Sequence, residues 1–319
     1  MTDSRHRYIA RINRVVDHID AHLGEPLDLV ALAAVANFSP WHFHRVFQAM
    51  TGETLAERVR RRRLEVAAAR LLGSPPESAL VVAVGVGFGS AEVFTRAFKA
   101  HFGVTPSAWR RGAWREWAAR HQQQLSKIHQ AERKAHQAVV AALCHDGVPR
   151  PVVAATDLKG TTMNVELKTL PDMRLAYMRH TGPYGGPGIS QTWQRFGAWA
   201  AQRGAMKPGG AMVGISQDSP DLTAPEKCRY DACVEVDAEF RPEGEVGVQA
   251  LPGRRYACGH FNGTAFEIHA AWQRMFGEWL PDSGWQTDEG PAIELYDLSG
   301  MDAATGRMAC LLCVPVRAL

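Results

Sequence analysis

Two groups of side chains in this chain have types and spacings suited to recognition chemistry. Trp41, His44, Arg45 and Gln48 recur at i, i+3, i+4, i+7 and therefore share one face of a helix. Fifty-one residues further on, Glu92, Thr95, Arg96 and Lys99 occupy the equivalent face. A guanidinium placed there can donate two parallel hydrogen bonds to O6 and N7 of guanine, and an indole can pack on thymine methyls or on sugars. The plain alternative is a solvated helix face. The second group centres on Glu294 and Tyr296 in the run Ala292 to Asp297, with Tyr184, Trp193 and Trp272 upstream. A carboxylate beside aromatic rings is suited to an organic cation, held by charge pairing and cation–π attraction.

The elements that must position the first group are legible through an internal repeat. Residues 41–52 lie over residues 92–103, matching Phe43 with Phe94, Arg45 with Arg96, Phe47 with Phe98 and Gly52 with Gly103. Phe43, Val46, Phe47 and Met50 predict the buried face of the first copy, and Phe94, Ala97 and Phe98 that of the second. Ser39-Pro40 and Ser90 read as helix N-caps, and Gly52 and Gly103 as helix stops. A shorter apolar segment precedes each copy across a tight turn: Leu29 to Ala36, then Leu80 to Val86. The second has four valines and an internal glycine, a poor helix by propensity, and is assigned as helix because the repeat demands it. Helix, tight turn and polar-faced helix, twice over, predict two helix-turn-helix units. A long helix from Leu55 to Leu72 would join them and end at Gly73-Ser-Pro-Pro76. Its Arg60 to Arg63 point around most of the circumference, so at most one or two are expected to reach phosphate and the rest to be solvated.

A second repeat, offset by 79 to 81, positions the other group. Leu170-Pro-Asp-Met-Arg174 lies over Leu251-Pro-Gly-Arg-Arg255, and Trp193-Gln-Arg195 over Trp272-Gln-Arg274. Each copy reads as roughly βαββ, so two copies predict one pseudo-symmetric α+β domain. Alternation sends Ile293 and Leu295 to one face of their strand and Ala292, Glu294 and Tyr296 to the other. If the apolar pair packs under the helices, Glu294 faces an open groove. Trp114 to Leu143 reads as a helix closed by the loop Gly147 to Pro151. The expected domains are 1–112, a helical linker 113–150, and 151–319.

Composition narrows the classes. The 319 residues carry a net charge of +3, with 46% hydrophobic and 22% charged residues, ordinary values for a globular protein of about two domains. Charge is uneven: 15 Lys/Arg against 10 Asp/Glu in residues 1–112, and 15 against 20 in residues 151–319. A basic front and acidic back suggest modules with different partners. The longest uncharged apolar run, Ala79 to Phe88, is far short of the roughly 20 residues of a membrane span, and the polar start lacks a signal-peptide core. Six cysteines in this length make no disulfide framework, so the cytoplasm is the expected compartment. Cys310 and Cys313 have CxxC spacing but would point to opposite faces of a strand, so no metal site is expected. No cofactor motif and no named catalytic motif is present.

Residues Ala36 to Phe47 resemble the first DNA-reading unit of the AraC/XylS transcription regulators. Gly87 to Lys99, followed by Phe102-Gly-Val-Thr-Pro106 and Trp109-Arg110, are similar to that family's signature. Residues 163–319 are similar to GyrI-like effector-binding domains through His180 to Tyr184, Arg229 to Cys233 and Pro291 to Tyr296. The order resembles the Rob-like branch. The resemblance implies double-stranded DNA as a partner, faced by Ser39, Trp41, His42, His44 and Arg45, and by Ser90, Ala91, Glu92, Val93 and Arg96. Ala91 and Val93 can make only apolar contacts, while Glu92 is able to accept from cytosine N4. It also implies a hydrophobic or cationic small-molecule effector on Tyr184, Trp193, Trp272, Glu294 and Tyr296, with RNA polymerase as a further partner. Two other readings stand beside the regulator. One is a GyrI-like hydrolase fused to the DNA-binding half, with Glu294 as general base; the other is a module that binds gyrase or polymerase.

Overall fold

The computed structural model describes residues 3–73, 75–120, 163–184, 187–205, 210–265, 267–296 and 307–319. The chain separates into two compact units, whose main stretches run to Gln122 and from Gln123 onward. Of the linker helix expected over Trp114 to Leu143, residues 114–120 are helical. The remainder, with the loop Gly147 to Pro151, lies outside the described residues.

The first unit is helical: α1 (Asp3–Ala21), α2 (Leu29–Val35), α3 (Pro40–Thr51), α4 (Leu55–Arg70), α5 (Ala79–Gly85), α6 (Ala91–Phe102) and the short α7 (Pro106–Ala108). The weak helix formers of α5 are helical as the repeat required, capped by the Ser78 hydroxyl on the Val81 N–H. Both tight turns close in the same way. Phe38 N–H bonds the Ala33 carbonyl and Phe88 N–H the Ala83 carbonyl, each at 2.9 Å. The residue before each phenylalanine is left-handed: Asn37 at φ 53° and Gly87 at φ 88°. These 6→1 bonds satisfy carbonyls that the helix end would otherwise orphan.

Each helix-turn-helix has its own core. Ile12, Val15, Ile19, Leu32, Phe43 and Phe47 form the first, and Leu64, Ala67, Leu71, Val82, Phe94, Phe98 and Trp109 the second. Two expectations need adjustment. Met50, assigned to the apolar face, is 37% exposed. Ser39 holds the N-cap position of α3 without a side-chain cap bond, whereas Ser90 does cap α6 through the Val93 N–H.

The arginine run of α4 departs further from expectation. Arg61 bonds Glu53 at 2.8 Å and Glu65 at 2.9 Å. Arg62 bonds Glu65 at 2.7 Å and Asp20 at 3.1 Å. Arg63 is spent on backbone carbonyls, and of the four only Arg60 is exposed. The run is largely internal because acidic partners three, four and eight residues away lie within reach of its forked donors.

Among the described residues, the second unit is built on a nine-stranded, largely antiparallel sheet. Its strands are β1 (Val165–Leu170), β2 (Met173–Thr181), β3 (Met212–Ser216), β4 (Arg229–Glu235), β5 (Gly247–Leu251), β6 (Arg254–Thr264), β7 (Trp285–Thr287), β8 (Ala292–Tyr296) and β9 (Arg307–Ala318). Helix α8 (Pro187–Gln202) follows β2, and α9 (Ile268–Arg274) follows β6. The strand order is β1-β6-β9-β8-β3-β4-β2-β5, with β7 against β9. β7 aside, the two halves are equivalent when followed inward from either edge, so the duplication is a pseudo-twofold whose axis runs between β3 and β8. Each repeat carries an extra leading strand, β1 or β5, that pairs with the other copy. Exchange across the axis is invisible to local patterning, which is why the sequence read βαββ rather than ββαββ.

Candidate functional site

In the first unit, helices α3 and α6 present the expected polar faces. Ser39, His42, His44 and Arg45 are exposed, as are Glu92, Val93 and Arg96. Ser90 and Ala91 are half-buried. Trp41 lies in the first turn of α3; its side chain is outside the described residues. Phe43 and Phe47 are fully buried behind the first face, as Phe94 and Phe98 are behind the second, and that anchoring fixes which way Arg45 and Arg96 point. Glu92 sits in the positive first turn of α6, where its own backbone N–H and then the Ser90 hydroxyl hold its carboxyl below the usual range.

In the second unit the structure corrects the open-groove expectation. Glu294 is buried, with only 6% of its surface exposed. The helices stand over its face of the sheet, while Ile293 belongs to the core on the opposite face with Val213, Ile215, Cys258 and Cys313. Ile293 and Glu294, on opposite faces of β8, are both buried, so alternation alone could not choose which face the helices cover.

The surroundings of the carboxylate explain how it tolerates burial. Tyr230 from β4 donates to Oε2 of Glu294 at 2.7 Å. Tyr296 from β8 donates to the same oxygen at 2.6 Å. Trp272 from α9 donates its indole N–H to Oε1 at 3.3 Å. Trp193 from α8 donates to the Tyr230 hydroxyl at 3.2 Å, and its ring meets Tyr296 edge-on at 5.2 Å. Burial, reinforced by the Glu294 charge, pushes both tyrosine hydroxyls well above their ordinary range, so they remain donors. The rings of Trp193, Trp272 and Tyr296 are half-buried, an aromatic rim around one negative charge.

Four of the five residues expected at the effector site are thus brought together. Tyr184 is adjacent through ring contact with Tyr230 at 6.5 Å. Its hydroxyl is spent on the fold, donating to the Arg229 carbonyl at 2.6 Å and accepting from the Asp218 N–H at 3.2 Å. Tyr230 was missed as a site residue, although alternation from Tyr230 to Val236 places it with Ala232 on one face. Gly214 was missed as well. It pairs directly with Glu294 in the β3–β8 register and is its equivalent across the pseudo-twofold, eighty residues earlier. A Cβ at Gly214 would lie 2.0 Å from the Tyr230 hydroxyl and 2.7 Å from Glu294 Oε2. Cys310 and Cys313 do fall in cores on opposite faces, and Cys313 lies 2.8 Å from Cys258 across the β6–β9 pair. No cluster of metal-ligating side chains occurs among the described residues, and no described helix is long and apolar enough to cross a membrane.

The chain thus joins a duplicated helix-turn-helix to a pseudo-symmetric sheet domain with an aromatic-ringed carboxylate. Residues 32–112 match a helix-turn-helix domain family, and residues 163–317 match the GyrI-like small molecule binding domain. The chain is 31% identical over 155 residues to the SPbeta prophage-derived putative transcriptional regulator YosT of Bacillus subtilis, covering 49% of this chain and 100% of that protein. It is 40% identical over 103 residues to the transcriptional regulator Rob of Salmonella typhimurium, covering 32% of this chain and 34% of Rob. It is also 33% identical over 99 residues to the regulatory protein SoxS of the same organism, covering 31% of this chain and 92% of SoxS. The chain thus spans about a third of Rob and nearly all of YosT and SoxS. It belongs to the AraC-type helix-turn-helix transcription regulators that carry a GyrI-like small-molecule binding domain.

Proposed function

We propose that the protein reads two segments of duplex DNA through Arg45 of α3 and Arg96 of α6, and that it holds a hydrophobic cation against Glu294. The observation that carries the effector half is the buried carboxylate itself. Three neutral donors converge on it, and among the described residues no cationic side chain pairs with it. A charge kept in a low-dielectric aromatic setting attracts a desolvated cation far more strongly than an exposed one. In this reading Ser39, Trp41, His42 and His44 supplement Arg45, while Ala91 and Val93 offer apolar contacts beside Glu92 and Arg96. RNA polymerase is the protein partner, and the cytoplasm the compartment.

The test is a calorimetric titration with an aromatic quaternary ammonium such as benzyltrimethylammonium, set against its uncharged carbon isostere. Preferential binding of the cation supports the reading; equal binding of the two overturns it. Recovery of the ligand chemically altered would instead favour the hydrolase, with Glu294 as general base.

A further inference from the structure

Arg63 stands apart from the other arginines of α4. Its Nε donates to the Leu23 carbonyl at 2.9 Å and its Nη2 to the Glu25 carbonyl at 3.0 Å. Its Nη1 donates to the Gly87 carbonyl at 2.8 Å. Leu23 and Glu25 lie in the segment entering the first helix-turn-helix, and Gly87 is the turn residue of the second. One guanidinium therefore ties both DNA-reading units to the helix that joins them.

The backbones meet at the same place. A Cβ at Gly24 would lie 2.8 Å from the Gly85 carbonyl oxygen, and one at Gly87 would lie 2.5 Å from the Leu23 oxygen and 2.6 Å from Arg63 Cζ. The contact is lined by glycine on both sides and closed by Arg63. Elsewhere the two units keep separate hydrophobic cores, with Val66 of α4 packing on both. Their relative orientation thus depends on the stiffness of α4 and on this polar contact.

We propose that Arg63 is a positioning residue that fixes the separation between α3 and α6, and so the spacing of the two half-sites on DNA. The proposal rests on the reading that both helices face DNA. A planar fork with five donors can bridge three carbonyls at fixed angles, which a lysine ammonium on a flexible stem cannot. Two helices entering successive major-groove segments must sit about one helical turn apart, so a change in their mutual angle becomes a change in preferred spacing.

The experiment selects binding sites from a randomised duplex library with the full-length wild type, Arg63→Met, Arg63→Lys and Gly24→Ala. The readout is the distribution of separations between the two enriched motifs. Wild type should enrich two motifs at one separation. Arg63→Met should enrich the same motifs over a broadened range, bind the wild-type spacing about tenfold more weakly, the order of one lost charge-assisted hydrogen bond, and bind a duplex with one motif as wild type does. Arg63→Lys should fall between them. Gly24→Ala keeps the clamp but wedges the contact, so its preferred separation should move. If Arg63→Met does not fold, the other two variants carry the same test. An unchanged, narrow separation in every folded variant overturns the proposal. So does loss of one motif with an unaltered melting temperature, which would make Arg63 a DNA contact. A single motif enriched by wild type would instead overturn the two-helix reading beneath it.

Discussion

Replacing Glu294 by glutamine separates charge from shape at the centre of the second unit. The carboxamide fills the same volume, and its oxygen still accepts from a tyrosine hydroxyl or from the Trp272 N–H. Its NH2 needs an acceptor, which the rotatable hydroxyls of Tyr230 and Tyr296, 3.1 Å apart, can supply. The melting temperature should therefore change little. A cation about 4 Å from a carboxylate gains about 4 kcal/mol at an effective dielectric of about 20. Desolvation of the cation returns part of this, leaving a net of about 1–3 kcal/mol, or roughly 5- to 150-fold in affinity. Titration calorimetry of benzyltrimethylammonium and its carbon isostere against both proteins should show that loss for the cation alone. Equal weakening of both ligands would mean that Glu294 acts through its shape rather than its charge. Unchanged cation affinity would remove it as the anchor.

Three further outcomes are expected. Arg45→Ala should cost about 1–3 kcal/mol of specific DNA binding and relax one base position; an equal loss on random-sequence DNA, read by gel shift, would make Arg45 a phosphate contact. Gly214→Ala should displace the Tyr230 hydroxyl, lowering the melting temperature by an overpacking cost of about 1–3 kcal/mol and weakening the cation; a crystal structure with Tyr230 unmoved would contradict this. His180 carries a buried Nε2 without a hydrogen-bond partner, and burial lowers its pKa below the ordinary value against a smaller opposing effect of the Pro183 carbonyl. The unfolded chain therefore binds the proton first, and stability should fall as pH drops through the ordinary histidine value toward the lower folded one. Thermal melts between about pH 7.5 and about pH 5.5 should show a smaller decline for His180→Gln than for wild type, and parallel declines would refute the assignment.

The helical half was legible because its signals are local and stated twice. Phe43 and Phe47 repeat as Phe94 and Phe98, and the repeat outweighed the poor propensity of Val81, Val82, Val84 and Val86. The arginine run was misread because a sequence shows where side chains leave a helix but not which carboxylates return from Asp20 and Glu53. In the sheet half, alternation put Glu294 and Tyr296 on one face, and the structure brings Trp193 and Trp272 of the two helices against them. Their burial was not legible, since it depends on where β8 sits in the sheet and on which face receives α8 and α9. Those are long-range facts, and exchange of β1 and β5 across the axis hid them further.

The pairing of Gly214 with Glu294 also bears on how a duplicated domain comes to have one site. Residues on a pseudo-symmetry axis meet their own counterparts, so whatever one copy places there the other must yield to. Identical copies would set two glutamates directly opposite each other, their Cβ atoms about 4.5–5.5 Å apart across adjacent strands, where like charges repel. The charge can survive only if one repeat surrenders its side chain altogether. Divergence at this position is therefore a geometric condition for a single anionic centre, one charge held between two related walls.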